Sequence, residues 1–143
     1  MRLNLGCGKT RFEGWKNIDI SREARADEFY DINEGIKETN GSIEEIHAGC
    51  VLEQVGDFMF VLNECWRVLQ EGGILKGYVP STDSKVLHLD PEDKRFFQTG
   101  SFDYFNKNKE HWQNFGKVYG YKGWSITEAE INEGGIIHFT LQK

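Results

Sequence analysis

The sequence lacks the features that mark membrane, secreted and nucleic-acid-binding proteins. Its 143 residues include no run of about 18 apolar residues, so we expect no transmembrane helix. The chain begins with a strand-like segment rather than a basic and apolar leader, so we expect no signal peptide and a cytoplasmic location. The formal net charge of −6 argues against nonspecific binding to nucleic acid or to an anionic membrane, because both require a basic surface.

Cysteine and histidine are both scarce, and neither has the spacing of a metal site. The three cysteines, Cys7, Cys50 and Cys65, are an odd number without a Cys-x-x-Cys pair. This favours reduced thiols packed as small apolar side chains over a disulfide framework or a zinc site. The four histidines are scattered along the chain: His47, His88, His111 and His138. The sequence therefore predicts no metal centre.

The strongest functional signal lies in the first twenty residues. Residues 2–5 are typical of a short strand that runs into a glycine turn, and residues 15–20 are typical of a second strand. Gly6 and Gly8 let the backbone turn sharply and approach a ligand, because glycine has no Cβ. Asp19 ends the second strand, where α/β nucleotide-binding folds place a carboxylate that accepts hydrogen bonds from ribose hydroxyls. Together these residues predict a nucleoside site, and an ordinary structural turn is the alternative.

The spacing of the glycines excludes two related motifs. A dinucleotide fingerprint needs a third glycine three positions after the second, and Arg11 stands there, which disfavours a nicotinamide-dependent oxidoreductase. Gly8-Lys9-Thr10 lacks the upstream glycine spacing of a phosphate-binding loop. The favoured ligand therefore contains a ribose and no pyrophosphate.

The remaining elements predict an α/β fold. An apolar face at three- and four-residue steps predicts a helix over residues 57–70, with Asp57 as its N-cap and Gly72-Gly73 ending it. Further strands are predicted at 28–32, 74–79, 125–131 and 136–141, and residues 42–51 are predicted to be a central strand with the loop that follows it. This order predicts a Rossmann-like, mostly parallel open sheet with a C-terminal antiparallel hairpin, built as one domain from residues 1–143.

Several candidate residues fall at the C-terminal ends of the predicted strands. They are Gly6–Gly8, Asp19, Asp31 and residues 47–51. In open α/β sheets, ligands bind outside the carboxyl ends of the strands, near the switch in strand order. We therefore expect these residues to converge on one site.

Residues 81–116 form the least regular part of the chain. A short helix is predicted from Ser101 to Phe105. Aromatic side chains at 96, 97, 102, 104, 105, 112 and 115 can form the core of a lid or line a substrate cleft. Of these two interpretations, packing in a core is favoured.

The opening of the chain resembles that of class I S-adenosylmethionine-dependent methyltransferases. The similar segments are residues 3–8 and 14–19, residues 46–53 and, most specifically, residues 63–75, where an apolar-Arg-Val-Leu run precedes two glycines. Only nine residues separate Gly6 from Lys16, too few for the usual crossover helix, so the resemblance is to a compact subgroup with the first helix reduced to a loop.

The resemblance implies a cofactor site for S-adenosylmethionine. In it, Gly6 and Gly8 would line the methionine part and Asp19 would bind the ribose. The full set of residues that the resemblance places around the cofactor is Gly6, Cys7, Gly8, Asp19, Ile20, Asp31, Ile32, Ala48 and Gly49. The implied function is methyl transfer to a small-molecule or glycan-type acceptor. The alternative is a non-catalytic cofactor-binding or protein-interaction module derived from that fold.

A general base is needed only if the acceptor atom carries a proton that must leave. By location the candidates are His47, Glu53 and Asp93, and each has a structural alternative. His47 can be a packed strand residue, Glu53 a helix cap or ion-pair partner, and Asp93 a solvated turn charge. Where subgroup members often carry histidines, this chain has Cys50, Gln54 and Asp93. The sequence alone does not decide between these roles.

Overall fold

The structure, a computed structural model, describes residues 1–85 and 89–143. Its strands are β1 (Arg2–Leu5), β2 (Lys16–Asp19), β3 (Glu28–Phe29), β4 (Ile43–Gly49), β5 (Leu69–Pro80), β6 (Ser125–Ile131) and β7 (Ile136–Gln142). The α-helices are α1 (Phe58–Val68) and the single turn α2 (Lys117–Tyr119). Shorter turns are 3-10 at Ile32–Glu34 and Thr99–Tyr104, and π-helical at Trp112–Gly116. No helix in the described ranges is long and apolar enough to cross a membrane.

The strands form one mixed sheet in the order β3-β2-β1-β4-β5-β7-β6. The pairs that join β1 to β5 are all parallel, whereas β7 runs antiparallel to both β5 and β6. The predicted fold class, with its C-terminal hairpin, is thus confirmed. The order of the strands along the sheet reverses at β1, between β2 and β4, and this is where open α/β sheets bind ligands.

One face of the sheet is apolar and the other is polar. A row of cross-strand neighbours on the first face is almost fully buried: Leu3, Ile46, Leu75 and Leu141. The next row, on the opposite face, is polar: Asn4, His47, Lys76 and Thr140. Parallel sheets usually have both faces covered by helices, so this alternation marks a face that has lost its helical layer.

A loop replaces the missing first helix on the polar face. Residues 6–15 contain no helix, as the short crossover predicted. The Phe12 ring packs 4.8 Å from the His47 ring, and the Arg2 guanidinium lies 5.0 Å from the Trp15 ring centre. Two loop aromatics therefore cover part of the area that a helix would otherwise bury.

The amide of Asn17 holds this loop together. Its side chain is fully buried, and Oδ1 accepts from the backbone N–H of Phe12 at 2.9 Å and from Nδ2 of Asn4 at 3.0 Å. Its Nδ2 donates to the carbonyls of Phe12 and Trp15, at 3.1 and 2.9 Å. Asn4 in turn donates to the carbonyl of Thr10 at 2.9 Å. Two side-chain amides thus satisfy backbone groups that a helix would have paired internally.

Asp27 extends the same network from the far side of β2. Its Oδ2 accepts from the backbone N–H of Asn17 at 2.8 Å, and its Oδ1 lies 2.7 Å from Nη2 of Arg11. The backbone hydrogen bond from Asn17, followed by the Arg11 guanidinium, lowers the pKa of Asp27 to about 2. The Asp27 carboxylate that helps to hold the loop is therefore ionised at neutral pH.

Several boundaries differ from the sequence prediction. The third strand, predicted over 28–32, pairs only over Glu28–Phe29, because Asp31 leaves the sheet to cap the following 3-10 turn. The helix predicted from Ser101 is a 3-10 turn that starts at Thr99. The strand predicted within 42–51 ends at Gly49, and Cys50 and Val51 belong to the predicted loop that follows it.

The prediction that Gly72-Gly73 end the helix is wrong. The N-cap is confirmed, since Asp57 accepts from the backbone N–H of Phe60 at 2.9 Å, but α1 ends at Val68 and β5 starts at the next residue. Between the pairs Ile43↔Leu69 and Glu45↔Ile74, β5 advances five residues while β4 advances two. Gly72 absorbs this bulge with a φ of +76°, a conformation that glycine adopts without strain.

The aromatic residues of the 96–115 segment divide between core and surface. Phe97, Phe102 and Phe105 are buried, and Phe102 packs 5.5 Å from Phe139 of β7. Phe96 and Phe115 are exposed. The favoured interpretation as core therefore describes the first group and not the second.

Candidate functional site

A cavity of about 520 Å³ opens at the C-terminal ends of β1 and β2. Six of the nine residues predicted for the cofactor line it: Gly6, Gly8, Asp19, Ile20, Asp31 and Ile32. The topological switch thus brings together residues that are far apart in sequence.

The other three predicted residues lie outside the wall of this cavity. Cys7 and Ala48 are buried, and the Tyr78 ring lies where a Cβ on Gly49 would be, 2.6 Å from Tyr78 Cζ. Burial, followed by the charge of Asp19, raises the pKa of the Cys7 thiol. Cys7 and Ala48 therefore belong to the buried core rather than to the wall of the cavity.

Gly6 makes room for the loop that follows β4. Its φ is +59°, and a Cβ added there would lie 2.3 Å from Cγ2 of Val51. Gly8 has a similar φ of +52°, but a Cβ on it would meet no atom within 4 Å. Both positions favour glycine by conformation, and only Gly6 also requires it by packing.

Replacing these two glycines separates the two requirements. We expect Gly8→Ala to cost about 1 kcal/mol, the price of a left-handed alanine. Gly6→Ala is expected to cost about 2–4 kcal/mol, because displacement of Val51 adds a packing penalty to the same backbone cost. Urea unfolding of both variants measures the difference, and equal losses would mean that the Val51 contact is not tight.

Asp19 organises the glycine turn. Its Oδ2 accepts from the backbone N–H of Gly8 and its Oδ1 from that of Ser21, both at 2.8 Å. Each carboxylate oxygen can accept further hydrogen bonds, so these contacts leave capacity for a ligand. The residue that the sequence assigns to ligand binding therefore also holds the backbone of the glycine turn.

Asp31 and Asn33 connect the loop after β3 to the entrance of α1. Oδ1 of Asp31 accepts from the backbone N–H of Asn33 at 2.8 Å, and Oδ1 of Asn33 accepts from that of Gly56 at 2.6 Å. Asn33 was not singled out from the sequence, although it lines the cavity. Sequence reasoning also missed Ile18 of β2 and four further lining residues, Tyr30, Val55, Glu92 and Lys94. None of the last four lies at the end of a predicted strand. They lie on loops, and only the convergence of strand ends could have pointed to their neighbourhood.

A second cavity of about 500 Å³ adjoins the first. The two share Cys50 and Gln54, which lie on the loop that follows β4. The rest of the described wall of the second cavity comprises Glu53, Pro80, Leu89, Asp90, Pro91 and Asp93. Two adjoining cavities of this size can accommodate two reactants side by side.

Glu53 is the most perturbed acid at this junction. Its side chain is 1% exposed, and burial, together with the nearby charges of Asp93 and Asp90, raises its pKa to about 7. Its Oε2 is buried without a hydrogen-bond partner. Neither structural alternative applies to it, since Asp57 caps α1 and no ion pair involves Glu53 among the described residues.

Cys50 accompanies Glu53 in the shared wall. Its φ of +52° is the one positive value at a non-glycine position in the described residues, so the backbone is strained at this point. Cys50 is an exposed residue, but partial burial of its thiol, followed by the charge of Glu53, raises the thiol pKa to about 12. The thiol is therefore protonated at neutral pH and is a poor nucleophile.

The other two candidate bases occupy different settings. His47 lies on the polar face of the sheet, with Nδ1 3.2 Å from Oδ1 of Asn4, and lines neither of the two cavities. Burial lowers its pKa. Asp93 lines the second cavity, where its Oδ1 accepts from Nε2 of Gln54 at 3.3 Å. The structure therefore brings Glu53 and Asp93 together and places His47 elsewhere.

Metal-binding geometry is absent from the described residues. No group of three or more His, Cys, Asp or Glu side chains there could hold a metal ion. The three cysteines are free thiols. His88, one of the four scattered histidines, lies outside the described residues.

Comparison with known proteins relates the chain to solved structures. No protein-family model matches it, and no curated protein matches it in sequence. A SAM-dependent methyltransferase from Thermotoga maritima, described as a possible histamine N-methyltransferase, matches with a TM-score of 0.68 at 17% identity over 99% of this chain and 81% of that one. A putative methyltransferase from Haloferax volcanii, in complex with the Trm112 activator, matches with a TM-score of 0.70 at 12% identity, with the same coverage of both chains.

A third similar structure has a different activity. The [4+2]-cyclase SpnF matches with a TM-score of 0.68 at 12% identity, over 99% of this chain and 73% of that one. Identities this low establish the fold and nothing finer. The chain has the fold of class I SAM-dependent methyltransferases, and the resemblance found in the sequence is confirmed at that level.

Proposed function

We propose that this chain is a SAM-dependent methyltransferase whose first cavity binds the cofactor and whose second cavity binds a small-molecule acceptor. The observation that carries the proposal is the position of Gly6, Gly8 and Asp19 around one cavity at the topological switch of a methyltransferase-type sheet. This is the position at which open α/β sheets bind nucleotides. On this proposal residues 1–143 act as one domain.

The cavity fits such a cofactor in size and chemistry. Its volume of about 520 Å³ falls in the range of ligand sites. The Asp19 carboxylate supplies acceptors for two ribose hydroxyls, and Ile20 and Ile32 supply apolar surface for a base. Asp31 lies beside them as a further acceptor, and Gly6 and Gly8 keep the wall free of side chains.

The chain has two tasks in such a reaction. S-adenosylmethionine, when bound, supplies an activated methyl group with its leaving group, so the protein needs mainly to position the acceptor. The residues shared by the two cavities, Cys50 and Gln54, lie where acceptor and cofactor sites would meet. Glu53, with its pKa raised to about 7, can take a proton from the acceptor near neutral pH.

Calorimetry with S-adenosylmethionine and S-adenosylhomocysteine tests the cofactor site. We expect both to bind, and we expect Asp19→Ala to weaken binding by about 1.5–3 kcal/mol, because charged hydrogen bonds to the ribose are lost. Asp19→Asn, which keeps the shape and one acceptor oxygen, should fall between wild type and alanine. Asp83→Ala, at an exposed aspartate outside the cavity, serves as the matched control and should leave affinity unchanged.

Thermal unfolding of each variant is measured alongside, since Asp19 also holds the glycine turn. If folded wild-type protein binds neither compound at millimolar concentration, the cofactor proposal is wrong. If binding occurs but Asp19→Ala leaves it unchanged, the ribose is held elsewhere.

A non-catalytic or differently catalytic module is the second candidate. Two observations favour it: the described walls of both cavities contain no histidine, and the cyclase SpnF has the same fold. A protein that binds S-adenosylmethionine tightly yet forms no S-adenosylhomocysteine with any acceptor in a broad panel, glycans included, would support this reading.

A further inference from the structure

The second cavity has an acidic wall. Glu53, Asp90 and Asp93 all line it, and its described lining residues include no lysine, arginine or histidine. None of the three carboxyl groups forms an ion pair among the described residues. The described wall of the cavity therefore carries three carboxyl groups and no cationic side chain; the neighbouring cation, Arg95, lies outside the wall, and its guanidinium donates to the carbonyls of Leu52 and Gly56.

The hydrogen bonds in this wall leave the charge uncompensated. Nε2 of Gln54 donates to Oδ2 of Asp90 at 3.0 Å and to Oδ1 of Asp93 at 3.3 Å. One neutral amide thus serves two carboxylates. Oδ1 of Asp90 accepts in addition from the backbone N–H of Glu92 at 3.0 Å, which again brings no positive side chain.

Glu53 adds an independent observation. Its Oε2 is buried and lacks any hydrogen-bond partner, in a side chain that is only 1% exposed. A buried carboxylate oxygen without a partner is costly and uncommon in folded proteins. Glu53 is a lining residue of the second cavity, so a ligand bound there is a partner available to its carboxyl group.

We infer that the acceptor which this cavity binds is a basic amine, held as its ammonium ion by Glu53, Asp90 and Asp93. The inference rests on the proposed methyltransferase function and names the substrate class of the same site. An ammonium ion supplies up to three N–H donors and a positive charge, which matches three carboxylates. A neutral hydroxyl supplies one donor and no charge, and a carboxylate acceptor would be repelled.

A bound metal ion is the other species that could balance the charge. The described side chains do not have the arrangement to hold one. Leu89, Pro80 and Pro91 add apolar surface to the same wall, which suits the carbon skeleton of an organic amine better than a hydrated ion.

Methyl transfer to such an acceptor can be written with every proton and bond accounted for. The ammonium ion gives one proton to the Glu53 carboxylate and becomes a neutral amine with a free electron pair. That pair forms the new nitrogen–carbon bond as the sulfur–carbon bond of the methyl donor breaks, and the sulfonium becomes a neutral thioether. The product is a methylated ammonium ion, and Glu53 later releases its proton to solvent.

Matched acceptors test the inference by binding, independently of turnover. Benzylamine, 2-phenylethylamine and 1,4-diaminobutane are titrated at pH 8 into the protein saturated with S-adenosylhomocysteine. Benzyl alcohol, 2-phenylethanol and 1,4-butanediol serve as neutral counterparts, and benzoate as the anionic one. We expect at least one amine to bind at least tenfold more tightly than its alcohol, and benzoate not to bind.

Two variants locate the binding site within the cavity. Glu53→Gln and Asp93→Asn should each weaken amine binding at least tenfold without changing the affinity for S-adenosylhomocysteine. Glu133→Gln, at an exposed position in the hairpin turn, is the matched control and should change neither.

The possible failures are distinguishable. If S-adenosylhomocysteine does not bind, the proposed function fails. If it binds while the alcohols bind as well as the amines, or no amine binds at 20 mM, the inference about the acceptor is wrong and the cofactor site stands. Amine binding that both variants leave intact would equally overturn the inference, because the ammonium ion would then lie elsewhere.

Discussion

Replacing Asn17 by alanine is expected to destabilise the protein by about 3–4 kcal/mol, because each buried hydrogen bond of its amide contributes roughly 1 kcal/mol. Oδ1 accepts from Phe12 and Asn4, and the two hydrogens of Nδ2 are shared among the carbonyls of Phe12 and Trp15 and Oδ2 of Asp27. The side chain is fully buried, so water does not replace it without rearrangement of the loop. The Asn17 amide thus pairs backbone groups of the loop that occupies the place of the helix which class I methyltransferases normally have after the first strand.

The expected loss follows from where the partners of Asn17 lie. The backbone N–H and C=O of Phe12 and the C=O of Trp15 belong to the loop between β1 and β2, and Asn4 belongs to β1 itself. Removing the amide leaves these groups unpaired at the base of the Gly6–Gly8 turn. We therefore expect the affinity for the proposed cofactor to fall together with stability.

Urea unfolding, followed by circular dichroism, measures the loss as a lower midpoint at an unchanged slope. Asn108→Ala, at an exposed asparagine, is the control and should stay within about 0.5 kcal/mol of wild type. A loss below about 1 kcal/mol for Asn17→Ala would mean that the loop is held mainly by the aromatic contacts of Phe12 and Trp15.

The sequence contains most of the information about the fold. Apolar and polar residues alternate in β1, β4 and β5, and this alternation specifies a sheet with one buried and one polar face. The short crossover between Gly6 and Lys16 correctly predicted the absence of the first helix. The prediction from the glycine pair at 72–73 was wrong, because glycine marks both the end of a helix and a strand bulge. Both need a residue that adopts a positive φ, as Gly72 does.

The site was predictable where it depends on strand ends and not where it depends on loop conformation. Gly6, Gly8 and Asp19 follow from local patterns, and the strand order brings them together. Asn33 and Lys94 line the same cavity through the paths of two irregular loops, which no periodicity specifies. His47 and Glu53 were comparable candidates by location, but register places the histidine on the polar face, whereas Glu53 is buried among the residues that line the second cavity.

Glu53→Gln is expected to lower turnover about 10²–10⁴-fold with an amine acceptor, since a positioned general base contributes about that much. For the wild type, the rate should rise with pH through the pKa of about 7 that burial gives Glu53. The groups around the Glu53 carboxyl are Cys50, Asp90 and Asp93, and Arg95 is the neighbouring cation. The Arg95 guanidinium donates its hydrogen bonds elsewhere, to the carbonyls of Leu52 and Gly56. Asp93→Asn removes one of the charges that raise the pKa, so it should move the pH profile to lower pH.

Replacing Glu53 by glutamine should also make the protein more stable at high pH. The pKa of Glu53 is raised from 4.5 to about 7 by folding, so the folded state binds more protons than the unfolded state between these values. Wild-type stability therefore falls as pH rises through this window, and the loss, about 3 kcal/mol, is complete above pH 7. Glutamine carries no charge to desolvate, so Glu53→Gln should be more stable than wild type at pH 8 and nearly equal to it at pH 4.

Opposite signs in activity and stability distinguish a catalytic role for Glu53 from a structural one. If Glu53 served only for packing, Glu53→Gln would make the protein less stable and would leave the pH profile of the rate unchanged. Thermal unfolding at pH 4 and pH 8, together with the rate profiles of wild type and variant, separates these cases. A variant that is less stable at pH 8 would show that the carboxylate has favourable partners in the folded state. In that case the buried charge of Glu53 would stabilise the fold, and it would not be an unfavourable charge kept for proton transfer.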